Sequence, residues 1–370
     1  MKNMCAIIEL NEREISGSRG GKAVEQERIV SLRMARQGFA QPVGEREYPA
    51  LYRDMQPGRN IYWNGFGQPP TLTPRAAFDD GEYNRLRQRS RALVKVRLAG
   101  TVGWIEAGDM PLFAALYCKP IARMTAAQET LLALLRREGP LNIQQIKEET
   151  GWLVKEITPV LQRLQEAFCV YEDQYDGEWD REWYLIDEMF PDLRATMPAR
   201  ESALEDVLRR FARRMAAFTE EEARSFFRLP VREIRAALAA MTASGELICE
   251  EGRFMTADDA ALMRTLAPDT PRFVCAVHRN DFLYRACETE LKAMITPCIE
   301  PLEYDHEPLQ YLLIDGVFSG AAVGHFRNGP YDLNDVVGPE ALEARRDEIL
   351  AAVRAVNFGA SPLRFRGMPL

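Results

Sequence analysis

The stretch TAAQETLLALLRREGPLNIQQIKEETGWLVKEITPVLQRLQEAFCVYEDQYDGEWDREWYLI, Thr125 to Ile186, decides the fold. Leu131, Leu134 and Leu135 share one face of a helix over Ala127 to Arg137, and Gly139-Pro140 stops it. A short helix from Ile143 to Glu149 ends at Gly151. Leu153, Ile157, Leu161, Leu164 and Phe168 then recur at helical spacing and define a third helix, the candidate recognition helix. Within it, Pro159 denies one backbone hydrogen bond unless it falls in the first turn. Cys169 to Tyr171 and Trp183 to Ile186 read as strands on either side of the hairpin signal Asp176-Gly177. Three helices followed by a hairpin is the order of a winged helix-turn-helix.

Working outward, the same plan recurs from Arg200 to Asp259. Leu204, Leu208, Phe211 and Met215 form an apolar stripe, Thr219 caps a short helix with Glu222 three residues on, and Pro230 opens a helix carrying Ile234, Leu238 and Met241. Its hairpin turns at Glu250-Glu251-Gly252. Towards the N-terminus, Ile15 to Gly21 reads as a Gly/Ser loop and helical reading begins near Glu25. Helices over Tyr48 to Met55 and Asp80 to Leu93, then strands across Gly100-Thr101, give a related unit with a long insertion from Gln56 to Pro74. Beyond about residue 268 the pattern changes to strands, with a hairpin at Asp315-Gly316 and a final helix from Pro339 to Val356. The expected class is mainly α with β: tandem winged helices followed by a small C-terminal antiparallel β-barrel or sheet. Expected boundaries are 1–21 (extension), 22–122, 123–195 and 196–267 (three units), and 268–370 (barrel-like).

Composition fits a folded cytoplasmic protein: 370 residues, 46% hydrophobic and 28% charged, without an apolar run long enough to cross a bilayer. The seven cysteines are scattered through apolar segments, as reduced thiols packed in cores would be. Cys275, His278, Cys287 and Cys298 are ligand types for zinc, but Phe273, Cys275 and Val277 alternate along a strand, so no metal and no cofactor is expected.

A net charge of −8 does not advertise a nucleic-acid binder, yet phosphate contact depends on where positive charge sits. Arg85, Arg87, Arg89, Arg91, Lys95 and Arg97 form a run without an acid, either a phosphate-contacting surface or a solvated face balanced by acids elsewhere. Arg33 and Arg36 on the first helix, Arg210 and Arg214 on the first helix of the third unit, and Arg228, Arg232 and Arg235 around its third helix are further candidates for DNA contact. His278 and His325 could approach DNA or simply sit in the C-terminal fold. Tyr62, Trp63 and Phe66 could stack on an extruded base, or pack their loop. The acidic hairpin Tyr171 to Asp180 would repel phosphates and is expected to face protein, a possible partner site, or solvent.

The order of segments resembles the winged-helix DNA glycosylase superfamily of the AlkZ and YcaQ type. The matching residues are Ala35 to Phe39 (ARQGF), Leu98 to Val102 (LAGTV) leading to Glu106 to Asp109 (EAGD), His278 to Leu283 (HRNDFL), and Leu313 to Gly320 (LIDGVFSG). The resemblance implies double-stranded DNA as partner and metal-independent excision of alkylated bases in DNA repair. Members that do this carry Gln-x-Gln or Gln-x-Asp, which places and polarises the attacking water. The corresponding segment here is Gln56-Pro57-Gly58, so Gln56 matches and Gly58 has no side chain. Asp79, Asp80, Glu106 or Asp109 could supply the missing carboxylate. The alternative is a non-catalytic winged-helix regulator or protein-interaction scaffold, since fold alone does not fix function.

Overall fold

The computed structural model describes residues 19–61, 67–174, 181–300, 302, 306–325 and 332–370. In the deciding stretch, α5 (Ala126–Glu138) and α6 (Ile143–Thr150) each open on a reciprocal cap, Thr125 with Gln128 and Asn142 with Gln145. These caps satisfy backbone N–H groups that a helix start leaves orphaned. Gly151, at φ 71°, ends α6 in the left-handed conformation, and α7 (Val154–Glu166) follows. Pro159 lies in the second turn of α7, past the first, so the Lys155 carbonyl receives no bond from it. Leu131, Leu135, Ile146, Ile157, Leu161 and Trp183 close a core of their own beneath a three-stranded sheet, β3 (Leu141–Asn142), β5 (Arg181–Leu185) and β4 (Val170–Gln174).

The element order repeats downstream. After α8 (Arg200–Met215) come β6 (Phe218–Thr219), α9 (Glu220–Phe227), α10 (Val231–Ala243) and the hairpin β7 (Leu247–Glu250) and β8 (Arg253–Thr256), again a three-stranded sheet. Phe211 meets the rings of Phe218, Phe226, Phe227 and Phe282 at 5.1–5.5 Å, so this core continues into the C-terminal region.

The N-terminal region holds α1 (Arg19–Arg36), α2 (Tyr48–Asp54), α3 (Asp80–Arg89), the hairpin β1 (Leu93–Leu98) and β2 (Thr101–Glu106), and α4 (Met110–Tyr117). Helix begins at Arg19, so the part of the expected Gly/Ser loop from Arg19 to Gly21 is helical. The remainder of that loop, and Cys5, lie outside the described residues.

In the C-terminal region, four antiparallel strands run in the order β12 (Asp332–Val337), β11 (Val317–His325), β10 (Glu307–Ile314), β9 (Val274–His278). Of the expected barrel or sheet, it is the sheet that forms and the barrel that does not: β9 and β12 stand at opposite edges, and none of the described sheets closes. A helix does the covering instead. α14 (Arg346–Val356) lays Ile349, Leu350 and Val353 against Ala276, Leu312, Ala322 and Val336, which buries that face without strand-to-strand closure. The β10–β11 turn is the expected two-residue one, Asp315 and Gly316 at φ 49° and 83°, and a Cβ on Gly316 would stand 2.5 Å from Val30 of α1.

The segments that carry the family resemblance prove to be joints between these regions. Gln37, Arg75 and Asp281 form a buried network: Arg75 meets both carboxylate oxygens of Asp281 at 2.6 and 2.9 Å and Gln37 Oε1 at 3.3 Å. Its guanidinium lies 4.1 Å over the Phe39 ring, which stacks on Phe273.

Candidate functional site

Helix α2 delivers Gln56. Tyr48, Leu51 and Tyr52 bury one side of that helix, and the chain leaves it at Met55 to enter the loop Gln56 to Ile61. Gln56 is 3% exposed. With its amide turned to suit both neighbours, it donates to Asp109 Oδ2 at 3.2 Å and accepts from the Glu106 N–H at 2.9 Å.

The two candidate catalytic residues, Gln56 and Asp109, therefore meet. Asp109 is buried, and it also receives Arg53 (2.7 Å to Oδ1) and Arg210 (2.6 Å to Oδ2). Burial alone would raise its carboxyl; the hydrogen bonds and charges of Arg53 and Arg210 outweigh that and hold it below the ordinary carboxylate value. An ionised Asp109 thus fixes the Gln56 amide, with its own negative charge met by two guanidiniums. The other acids considered are engaged as well. Asp79 caps α3, Asp80 accepts from Tyr48 Oη and the Leu72 N–H, and Glu106 pairs with Arg87.

Gly58 exchanges two 2.9 Å backbone bonds with Trp104, an antiparallel bridge that ties the loop to β2. A Cβ at position 58 would come within 2.8 Å of Pro70 Cγ and 3.3 Å of Tyr52 Oη, so the space for a second motif side chain is already filled. Farther along, Asn60 accepts from Trp104 Nε1 and, through its carbonyl, from Asn280 Nδ2. The His278–Leu283 segment thereby steadies the loop that carries Gln56.

Behind Pro57 lies a shallow recess, partly open to solvent, lined by Pro57, Leu98, Tyr117 and Phe227 with Arg59 and Arg285. Arg285, on α12 (Phe282–Ala286), is 3% exposed and donates to the carbonyls of Pro57 (2.5 Å) and Phe226 (3.0 Å). No carboxylate pairs with it among the described residues. Burial, then the charges of Arg59 and Arg228, push its guanidinium well below the ordinary value; burial and Arg228 push Arg59 down to about 10. Arg59 and Arg285 carried no sequence signal, because Arg285 meets Pro57 across 228 residues of chain.

The proposed DNA-contact residues do not gather there. Arg33 is buried on the carbonyls of Met215 and Ala217, Arg36 pairs with Asp259, Arg210 with Asp109 and Arg214 with Asp54. Within the basic run, Arg85 pairs with Glu82, Arg87 with Glu106, Arg91 with Asp173 and Lys95 with Glu172, while Arg97 donates to Gln165 and Arg89 is exposed. The acidic central hairpin is thus partly the counter-charge of this run: Glu172 is buried against Lys95 and Arg181, facing neither solvent nor a second protein. Tyr175 to Asp180 of that hairpin lie outside the described residues, as do the stacking candidates Tyr62, Trp63 and Phe66. Arg228 pairs with Glu288 and Arg235 with Glu220, while Arg232 is exposed. His278, expected at a loop, is the buried end of β9 and accepts the Asn280 N–H; burial pushes it down to about 3. His325 is half-buried, its ring 5.4 Å from that of His306.

Helical units with small sheets, arranged in this order, are a fold found in a DNA glycosylase. Among solved structures, eleven chains match, and Streptomyces sahachiroi DNA glycosylase AlkZ does so with a TM-score of 0.63 and 15% identity, over 92% of this chain and 98% of that one. At that identity the likeness speaks for the fold. No curated protein sequence matches. The family model described as DNA glycosylase AlkZ-like matches residues 71–279, more than half of the chain, and the protein belongs to that family. The matched span includes Arg75, Asp109 and Arg210; Gln56 and Arg285 lie on either side of it. No described helix is long and apolar enough to cross a membrane.

Proposed function

We propose that the protein binds double-stranded DNA through its winged-helix units and hydrolyses the glycosidic bond of a damaged base, a metal-independent step in DNA repair. Membership of the AlkZ-like DNA glycosylase family is the observation that carries this reading. Gln56 is the water-orienting residue: its amide is fixed by Asp109 and the Glu106 N–H, which leaves one N–H and one lone pair for a water. Asp109 acts through Gln56 as a positioning residue. A cationic alkylated base is already a good leaving group, so an oriented water meets most of the chemical demand.

A second reading, a DNA-binding protein without glycosylase activity, is favoured by one feature: the Gln56 amide is already bonded internally and Gly58 offers no second holder. Base release from alkylated duplex under single-turnover conditions separates the two. The glycosylase reading expects release by the wild type and a loss of roughly 100-fold or more in Gln56→Ala. Release that survives undiminished in Gln56→Ala removes Gln56 from the mechanism, and bound duplex with no release selects the non-catalytic reading.

A further inference from the structure

The protein is acidic overall, yet around the recess the balance reverses. Arg59 and Arg285 line it, and among the described residues no carboxylate bonds to either; Glu288, whose charge reaches both, is already shared by Arg228 (3.1 Å) and Lys292 (2.7 Å). Arg59 makes no hydrogen bond or ion pair among the described residues, and Arg285 is held only by carbonyls and the Phe226 ring, 4.2 Å away. A buried guanidinium is expensive to keep; two carbonyls and a ring satisfy part of Arg285, but no counter-charge is bonded to it among the described residues.

From this we infer that the recess between the Pro57 loop, the β1–β2 turn and α12 is a phosphate site, with Arg59 as the contacting group and Arg285 supplying positive potential from its floor. Guanidinium forks match phosphate oxygens, and a partly desolvated pair of them attracts an anion more strongly than the same groups in water would. The site lies directly behind Gln56-Pro57, so a backbone phosphate held there would fix a nucleotide relative to Gln56; that part rests on the DNA reading above. The same chemistry would take a free phosphate group, and it would repel a positively charged base.

Thermal unfolding of the full-length protein in inorganic phosphate, with chloride added to keep ionic strength constant, tests the site without DNA. Phosphate is expected to raise Tm in the wild type and in Arg136→Gln, a control at an exposed arginine outside the recess, and to lose that effect in Arg59→Gln. Equal shifts in all three proteins, or none in the wild type, overturn the inference. Because Arg59 makes no hydrogen bond or ion pair among the described residues, the variant breaks none of the bonds described above. Duplex binding across a salt series then names the source: a slope of log K against log salt reduced by about 0.9 in Arg59→Gln identifies a backbone phosphate. An unchanged slope beside a lost phosphate shift identifies a free phosphate group. Phosphate stabilisation without any duplex binding leaves the site standing and removes the DNA reading.

Discussion

Arg75→Ala is expected to destabilise the protein by about 3–5 kcal/mol, the largest loss any single substitution discussed above should produce. Arg75 is fully buried and Asp281 is 6% exposed on its side chain, so truncation leaves a carboxylate with neither cation nor water. Asp281 also caps α12 by accepting the Leu283 N–H at 2.8 Å, which ties the penalty to the helix that holds Arg285. The bond to Gln37 and the stack over Phe39 go at the same time. Arg75→Lys should recover little, because one ammonium cannot make the two parallel bonds to Asp281 while lying flat on a ring. Urea unfolding of the three proteins measures both statements, and a near-wild-type midpoint for either variant would contradict them.

Asp109→Ala should cost about 3 kcal/mol at neutral pH. It leaves Arg210, whose side chain is 11% exposed, with only Asp206 at 2.7 Å, and it removes the acceptor of the Gln56 amide. The pH dependence has a definite sign. The folded carboxyl is held below its ordinary value, so its stabilisation is fully present above the unfolded value of about 3.9 and is lost as pH falls through the folded one. The gap in unfolding free energy between wild type and Asp109→Ala should therefore be steady from neutrality down to roughly pH 5 and shrink below about pH 4. A gap that stays constant into strong acid would mean that the carboxylate is not what the two arginines bind.

The sequence made the helices and hairpins legible because their signals are local. Thr219 with Glu222 and Asp315-Gly316 each act within three residues, and each forms the expected cap or turn. Charge was much less legible. The Arg85 to Arg97 run contains no acid in the chain, but Glu172 and Asp173, about 80 residues on, are folded against Lys95 and Arg91. A run of like charge in sequence is thus not a charged surface until its long-range partners are known. The barrel expectation failed for a similar reason, since alternating strands fix how residues face but not whether a helix such as α14 covers the sheet before its edges meet. Gln56 could be picked out only through a family resemblance, and its meeting with Asp109 depends on α2 and β2 packing together. The cationic recess had no signal at all, because Arg59 and Arg285 become neighbours only in the folded chain.

The claim on which everything else depends is that this protein works on DNA, and equilibrium binding to an undamaged duplex across a salt series tests it most directly. Binding is expected at low salt, with log K falling linearly in log salt at a slope of about 0.9 for every phosphate contacted, and with little dependence on sequence. No detectable binding at about 50 mM salt, or an affinity that does not change with salt, would contradict it.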